Sequence, residues 1–126
     1  MRVFSFAQES TRYCNYTKDK FGNEIKFIEP CCEIQEDEFI ACIESAEKSY
    51  NYLISSGWTP QQARAILPNS LKTELVMTGF VNDWEHFFSL RTSIIAETGK
   101  PHPQASELAD PLYNEFIMRG YMEPLV

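Results

Sequence analysis

The chain has 126 residues, a formal net charge of −7 and a hydrophobic content of 44%. A chain of this length can bury a core of its own, so we expect residues 1–126 to form a single domain. The net negative charge argues against nucleic-acid binding, because affinity for a phosphate backbone requires a basic surface. No segment approaches the ~18 to 20 apolar residues of a membrane helix, and no signal or transit peptide is recognisable, which favours a cytoplasmic protein without membrane contact.

Cysteine and arginine are the residue types that bear on chemistry. The four cysteines, at positions 14, 31, 32 and 42, lack the C-x-x-C spacing of a zinc site. We therefore predict reduced thiols and no metal centre. The five arginines, at positions 2, 12, 64, 91 and 119, suit the planar recognition of a phosphate or a ring carbonyl. In an acidic chain, a phosphate ligand needs local positive charge of this kind.

The first third of the chain favours extended structure followed by a helix. The segment Val3 to Thr17 predicts a strand or ordered loop, and turn residues then separate it from a short run, Glu24 to Ile28, which favours a β-hairpin. From Gln35 to Ser56, apolar residues recur at steps of three and four, and Gly57 stands where a helix C′ glycine would. This pattern predicts a long helix.

A short helix is predicted next, from local signals alone. Thr59 can act as the N-cap, followed by a proline at the first helical position and by Gln62 as the capping-box residue. This helix carries Arg64 and must end at Pro68. Residues 71–77 then alternate between apolar and polar side chains, which predicts a strand closed by Gly79.

Two more helices complete the predicted fold. Asn82 can cap the first of them, whose apolar stripe consists of Trp84, Phe87, Phe88, Ile94 and Ile95. After the linker-like stretch 97–103, the last helix runs from about Gln104 to Arg119, with a break or restart at Asp110-Pro111 and a stop at Gly120. The pattern predicts an α+β fold, in which a small, mostly antiparallel sheet packs against several helices.

Arg91 falls inside the apolar stripe, three residues after Phe88 and three before Ile94. A buried guanidinium is costly unless it is paired, so this residue should hold an anion or a row of carbonyl acceptors. A structural ion pair with Glu74 or Glu107 explains the position equally well. Periodicity alone leaves the two interpretations open.

Two separated motifs resemble those of the flavin-dependent thymidylate synthases, the ThyX family. Ala63-Arg64-Ala65-Ile66-Leu67-Pro68, then Thr78-Gly79, then Trp84-Glu85-His86-Phe87-Phe88-Ser89-Leu90-Arg91 match the pattern A-R-x-x-L-P, T-G, W-x-H-F-x-x-x-R. Arg2, seven further residues and Ser10-Thr11-Arg12-Tyr13 match the end of an R-H-R motif followed by S-x-R-Y. The chain departs from the family where Phe80-Val81-Asn82 replaces N-L-R and where His102-Pro103-Gln104 follows an insertion.

The resemblance implies reductive methylation of dUMP to dTMP. In this family methylenetetrahydrofolate supplies the carbon, NADPH reduces FAD, and the flavin supplies hydride, with no cysteine nucleophile. Arg91 matches the catalytic, activating arginine. The positions implied to hold dUMP are Gln8, Ser10, Arg12, Arg64 and Arg91. The positions implied to contact FAD are Arg2, Asn82 and His86. The family also implies a homotetramer with active sites shared between subunits.

The R-H portion that the family has before Arg2 is absent from the sequence, and this leaves other hypotheses open. A shortened chain is expected to expose sheet edge and apolar surface, which another polypeptide or a rearranged oligomer would cover. One alternative is therefore a truncated, catalytically inactive ThyX-like chain that folds and oligomerises. Another is a non-enzymatic nucleotide-binding or interaction module.

Overall fold

The computed structural model of the chain describes residues 3–18, 22, 24–30, 36–95 and 99–125. These residues form two strands and four helices: β1 (Ser5–Gln8), α1 (Glu36–Ser55), α2 (Pro60–Ala63), β2 (Leu75–Thr78), α3 (Val81–Arg91) and α4 (Pro103–Met118). A 3₁₀ turn, Arg64–Ile66, follows directly on α2. The prediction of an α+β fold with a small antiparallel sheet is confirmed. None of the helices described is long and apolar enough to cross a bilayer.

The sheet pairs the first strand with the last. Strand β1 lies beside β2, and the pairing continues beyond the strand ends, where the Glu9 N–H donates to the Glu74 carbonyl oxygen at 3.0 Å. The hairpin predicted between Val3–Thr17 and Glu24–Ile28 is therefore wrong for the described residues. The later run instead forms an antiparallel bridge between Phe27 and Leu71. A turn that begins at Ser10 ends the first extended segment. The strand that pairs with this segment is β2, far along the chain.

The chain divides into two compact units, each with its own apolar core. We call Ala7–Leu75 the central unit, and Met1–Phe6 with Val76–Val126 the C-terminal unit. The core of the central unit consists of Tyr16, Ile25, Tyr50 and Ala63, with partly buried side chains from Cys14, Phe27, Leu53, Ile54, Leu67 and Leu71 around it. Residues from the first turns, α1 and α2 therefore share one core.

Helix α1 begins with Glu36, Asp37 and Glu38, which favour the positive end of the helix dipole. It ends at Ser55, and Gly57 follows as the C′ residue, with a φ of 94° that few other residues adopt readily. The Gly57 N–H donates to Ile54, and the Trp58 N–H donates to Leu53, each at 3.0 Å. These bonds form a Schellman motif, so the predicted glycine stop is confirmed.

Helix α2 is positioned by the predicted capping box. The Gln62 N–H donates to Thr59 Oγ1 at 3.3 Å, and the Thr59 N–H donates to Gln62 Oε1 at 3.0 Å. The helix then tightens into the 3₁₀ turn that carries Arg64, and it ends before Pro68, as predicted. The two helices α1 and α2 pack on one another within the central unit.

The core of the C-terminal unit is aromatic. Phe88 is fully buried, and its ring centroid lies 5.4 Å from that of Tyr113 and 5.1 Å from that of Phe116, both in edge-to-face geometry. Trp84 joins the same cluster and also meets Phe4 at 5.0 Å. Such pairs add roughly 0.5 to 1.5 kcal/mol each beyond the area they bury. They hold α3 against α4.

Both ends of α3 differ from prediction. The N-cap is Phe80 rather than Asn82, and the Phe80 carbonyl accepts the first helical bond from Asp83 without help from a side chain. The helix ends at Arg91 because Thr92 is extended and buried, and its hydroxyl accepts hydrogen bonds from the N–H groups of Ile94 and Ile95. The two isoleucines therefore lie outside the helix, and Ile94 is exposed.

Helix α4 runs without interruption through Pro111, so the break predicted at Asp110-Pro111 is wrong. Proline removes one backbone donor, but Asp110 is held by contacts outside the helix, since the Ser93 N–H and hydroxyl both donate to its carboxylate. The predicted stop at Gly120 is confirmed. The Tyr121 N–H donates to Phe116 at 3.0 Å, and the two rings pack with centroids 5.6 Å apart.

Candidate nucleotide-binding site

The first element of the candidate site is the turn that follows β1. The Ser10 hydroxyl accepts a hydrogen bond from the Arg12 N–H at 3.2 Å, and the Ser10 carbonyl accepts from Tyr13 at 3.1 Å and Cys14 at 2.9 Å. Short polar side chains stabilise turns in this way. The turn directs the Arg12 side chain outwards, with its guanidinium 5.0 Å from the centre of the Tyr13 ring.

Two side-chain hydrogen bonds join this turn to α2 and its 3₁₀ extension. Arg12 Nε donates to Gln61 Oε1 at 2.8 Å, and Arg64 Nη1 donates to Thr11 Oγ1 at 3.3 Å. These contacts connect positions 49 and 53 residues apart in the sequence. The structure thus places Ser10, Arg12 and Arg64 together, while their role in binding stays a prediction.

Both arginine side chains are exposed, and each is held by an uncharged acceptor. Across residues 3–18, 22, 24–30, 36–95 and 99–125, neither guanidinium forms an ion pair with a carboxylate. Their positive charge is therefore not cancelled by any carboxylate in these ranges. Exposed arginine pairs of this kind suit a phosphate, which accepts several N–H bonds at once.

A concavity of about 490 Å³ opens beside the turn. Its lining residues are Gln8, Glu9, Ser10, Thr11, Asn69, Leu71 and Thr73. The volume lies within the range of roughly 300 to 1,000 Å³ that is usual for small-molecule sites. Thr11 connects it to the arginines, because its hydroxyl accepts the hydrogen bond from Arg64. The sequence motifs predicted Gln8 and Ser10 as site residues, whereas no motif pointed to Thr11, Asn69 or Thr73.

The floor beneath the turn is apolar and uncharged. Tyr16 and Tyr50 are almost fully buried, and the Tyr50 hydroxyl donates to the Cys14 carbonyl oxygen at 3.4 Å. Burial raises the pKa of Tyr16 to about 12, with smaller contributions from Cys14 and Glu9, and burial also raises the pKa of Tyr50. Both phenols stay neutral at physiological pH, so the floor supports the turn without adding charge to it.

Arg91 occupies a different position from the one predicted. It is the last residue of α3 and is exposed, so the predicted burial among the apolar stripe is wrong. The helix ends there, and the Arg91 side chain lies in solvent with Nη1 3.4 Å from the Leu90 carbonyl oxygen. Among the described residues of the C-terminal unit it forms no ion pair, which removes the alternative with Glu107. Glu74, the other proposed partner, pairs with Lys72 at 2.8 Å.

The Arg91 backbone is fixed although its side chain is not. The Ser106 hydroxyl donates to the Arg91 carbonyl oxygen at 3.3 Å, and the Thr92 N–H donates to Phe88 at 3.0 Å. The guanidinium therefore extends from a rigid base and is accessible to a ligand.

Of the positions predicted to contact the flavin, Asn82 and His86 lie one turn apart on α3, and both are exposed. Their spacing of four residues places two polar side chains on one helix face, which fits a ring system that accepts and donates hydrogen bonds. Arg2, the third predicted position, lies outside the described residues.

The sequence predicted reduced thiols and no metal centre. Cys14 and Cys42 are free thiols, while Cys31 and Cys32 lie outside the described residues. In the part of the chain that the structure describes, no group of three or more histidine, cysteine or acidic side chains is placed to bind a metal ion.

A larger concavity, of about 680 Å³, lies in the C-terminal unit. It is lined by Ser93, Lys100, Pro101, Pro103, Ser106, Glu107, Asp110 and Pro111. None of the predicted site residues lines it, and Asp110 is already bonded to Ser93. Size alone therefore does not make it the candidate site.

The family model described as "Thymidylate synthase complementing protein" matches residues 1–118. The chain belongs to this family. The resemblance based on Arg2 to Arg91 is thereby confirmed, and curated relatives of the chain carry the name of flavin-dependent thymidylate synthase.

Two of these relatives show the extent of the similarity. The flavin-dependent thymidylate synthase of Geobacter sulfurreducens is 28% identical over 90 residues, which is 71% of this chain and 39% of that protein. The "Probable flavin-dependent thymidylate synthase" of Paramecium bursaria Chlorella virus 1 is 43% identical over 105 residues, which is 73% of this chain and 49% of that protein. The chain thus spans half or less of the length of these thymidylate synthase relatives.

Among solved structures, the fold is similar to that of a UMP/dUMP methylase, PolB from Streptomyces cacaoi, bound with 5-Br dUMP. The TM-score is 0.69 at 23% identity, and the match covers 93% of this chain and 58% of that one. This likeness supports the fold of the thymidylate synthase family.

Proposed function

We propose that this member of the thymidylate synthase family binds dUMP and acts in its flavin-dependent methylation to dTMP. The observation that carries the proposal is the pairing of the segments that contain Arg12 and Arg64. Arg12 donates to Gln61, three residues before Arg64, and Arg64 donates to Thr11, the residue before Arg12. Two exposed guanidinium groups, which have no carboxylate partner among the residues that the structure describes, form a local positive site on a chain whose net charge is −7. A nucleotide phosphate is the anion that the family relationship suggests for it.

In this proposal the Ser10 turn and the two arginines hold the phosphate. The polar concavity beside them, lined by Gln8, Asn69 and Thr73 among others, takes the sugar and ring. Gln8 can donate or accept a hydrogen bond there but cannot act as a base.

Arg91 is proposed to activate the pyrimidine, which is the role that the family relationship suggests for it. The ring becomes nucleophilic at C5 when negative charge spreads over N3 and its carbonyl oxygens, and a fixed guanidinium stabilises that charge. The exposed side chain on a rigid backbone suits this role, because a ligand can reach it without displacing an internal partner. Its contribution is expected to be about 3 to 4 kcal/mol in the transition state.

The remaining parts of the reaction rest on the family relationship. Asn82 and His86, with Arg2, are proposed to contact FAD, which would supply hydride after reduction by NADPH. Methylenetetrahydrofolate would supply the carbon. A homotetramer with sites shared between subunits is the assembly proposed for these components.

Calorimetric titration with dUMP tests the proposal. We expect saturable binding to the wild-type chain and a loss of at least tenfold in affinity for Arg12→Ala and for Arg64→Ala, because charge-assisted bonds to phosphate contribute roughly 1.5 to 3 kcal/mol. Arg119→Ala, which removes the arginine that directly follows α4, is the matched control and should bind as the wild type does. A wild-type chain that shows no heat of binding at millimolar dUMP contradicts the proposal.

A nucleotide-binding chain without catalysis is the second candidate, favoured by the joined Arg12 and Arg64, which account for phosphate binding but not for a chemical step. The two candidates separate in one assay. A chain that binds dUMP but forms no dTMP with FAD, NADPH and methylenetetrahydrofolate supports the second, whereas dTMP formation supports the first.

A further inference from the structure

Gln61 and Gln62 are neighbours in α2, and their side chains have different functions. Gln62 completes the capping box, since its Oε1 accepts from the Thr59 N–H at 3.0 Å and from the Thr59 hydroxyl at 3.1 Å. Gln61 has no part in the cap. Its Oε1 accepts from Arg12 Nε at 2.8 Å, across 49 residues of sequence. Both glutamines are exposed, so burial does not explain the second contact.

The contact determines how Arg12 is presented. A guanidinium has five N–H donors arranged in a fixed plane. With Nε occupied by Gln61, the two terminal nitrogens have no hydrogen bond to any residue in the described ranges, so they remain available as a fork. Two N–H groups on such an edge can pair with two phosphate oxygens at once.

The acceptor is also neutral. A carboxylate at position 61 could accept the same bond, but it would cancel the charge of Arg12 and repel a phosphate dianion. The amide orients the guanidinium and leaves its charge unchanged. Arg64 also has a neutral acceptor, since the Thr11 hydroxyl oxygen accepts from Arg64 Nη1 at 3.3 Å.

We propose that Gln61 is a positioning residue for nucleotide binding, which orients Arg12 towards the phosphate and preserves its charge because it is an amide. This inference rests on the proposed binding of dUMP. It assigns to Gln61 a function that neither the helix cap nor the family motif explains.

The experiment compares four chains by calorimetric titration with dUMP and, in parallel, with deoxyuridine, which lacks the phosphate. Gln61→Met keeps the length of the side chain but loses the acceptor. Gln61→Glu keeps the acceptor and adds a charge. Gln62→Met, on the same helix, loses the capping box but not the Arg12 contact, and it controls for damage to α2.

We expect the dissociation constant of dUMP to rise about 5- to 20-fold in Gln61→Met, because Arg12 keeps its charge but must be ordered when the ligand binds. In Gln61→Glu it should rise by at least about tenfold, because the new carboxylate neutralises Arg12. Gln62→Met should bind dUMP within about twofold of the wild type, and any deoxyuridine binding should change little in all variants. A purely structural role would instead be rescued by glutamate and disturbed most by Gln62→Met.

The outcomes are separable. If the wild-type chain binds no dUMP, both the proposed function and the role of Gln61 are contradicted. A wild-type chain that binds dUMP, together with Gln61→Met or Gln61→Glu variants that bind it equally well, overturns only the role of Gln61. A ligand-free measurement adds a second test: Arg12 Nε–H should exchange with solvent more slowly than Arg91 Nε–H in the wild type, and the difference should vanish in Gln61→Met. Equal exchange in the wild type overturns the inference.

Discussion

Tyr16 and Tyr50 meet edge to face, with ring centroids 5.5 Å apart, directly beneath the turn that carries Arg12. Tyr50 also holds that turn from below through its hydroxyl, which donates to the Cys14 carbonyl oxygen. The pair connects the core of the central unit to the candidate site. Its protonation state therefore bears on the stability of the turn.

The first prediction concerns alkaline pH. Burial raises the pKa of Tyr16 from its ordinary value of 10 to about 12. An unfolded chain loses this proton near pH 10, while the folded chain retains it, so the unfolded state gains stability as the pH rises. The free energy of unfolding should be constant with respect to this group below about pH 10 and should fall between pH 10 and 12.

Urea denaturation at a series of pH values measures this effect. In Tyr16→Phe the fall in the free energy of unfolding that is due to Tyr16 should disappear. Tyr52→Phe is the control, because Tyr52 is 70% exposed. Identical slopes in the wild type and Tyr16→Phe above pH 10 would contradict the prediction.

The second prediction concerns Gly79, the glycine of the Thr-Gly motif. A Cβ at this position would lie 2.5 Å from Phe4 Cδ1 and 2.7 Å from Cε1. The Phe4 ring cannot move away freely, because it packs against Trp84. Gly79→Ala should therefore lower the free energy of unfolding by about 1 to 3 kcal/mol, as overpacking usually does.

A double-mutant cycle with Phe4→Leu tests the cause. The smaller side chain makes room for the Cβ, so the alanine substitution should cost less in the Phe4→Leu background than in the wild type. Equal costs in both backgrounds would show that the Phe4 ring is not the obstacle.

The third prediction concerns Asp110, whose carboxylate accepts hydrogen bonds from the Ser93 N–H at 2.8 Å and from the Ser93 hydroxyl. These bonds join the segment after α3 to the middle of α4. Asp110→Ala should destabilise the chain by about 1 to 3 kcal/mol, because two donors lose their acceptor. Asn114→Ala, on an exposed face of the same helix, should change stability by less than about 0.5 kcal/mol. Thermal denaturation of both variants distinguishes the effects, and equal melting temperatures would refute this role.

Local signals predicted part of the fold well. The capping box at Thr59 and the glycine stops at Gly57 and Gly120 involve residues close in sequence, so their geometry could be inferred from spacing alone. The predictions that failed depended on distant contacts. The partner of β1 lies about 70 residues away, at β2, and the end of α3 depends on Thr92 and on Ser106 of α4.

The residues of the candidate site were also predictable only where local motifs contain them. The motifs identified Ser10, Arg12 and Arg64, and the structure places these residues together. Gln61 could not be found from the sequence, because no local pattern relates it to Arg12. Arg91 was placed on the correct helix, but periodicity gives a helix face and not the effect of a helix end, where a long side chain reaches solvent.

The last prediction follows from that exposure. Arg91 makes one weak contact of its side chain, to the Leu90 carbonyl oxygen at 3.4 Å. Arg91→Ala should therefore change the free energy of unfolding by less than about 0.5 kcal/mol. If Arg91 stabilises charge on the pyrimidine during the reaction, the same substitution should lower the rate of dTMP formation by about 10²- to 10³-fold. The affinity for dUMP should change far less, because the interaction is strongest in the transition state.

These two results together distinguish function from structure. If Arg91 formed an internal ion pair, its substitution would destabilise the protein. If Arg91 instead binds a ligand, its substitution lowers the activity and leaves the stability unchanged. Lysine at position 91 keeps the charge but not the planar fork, so Arg91→Lys should recover only a small part of the rate. Arg119→Ala is the matched control for arginine removal and should leave the rate unchanged. Normal dTMP formation by Arg91→Ala would mean that this guanidinium does not act on the pyrimidine ring.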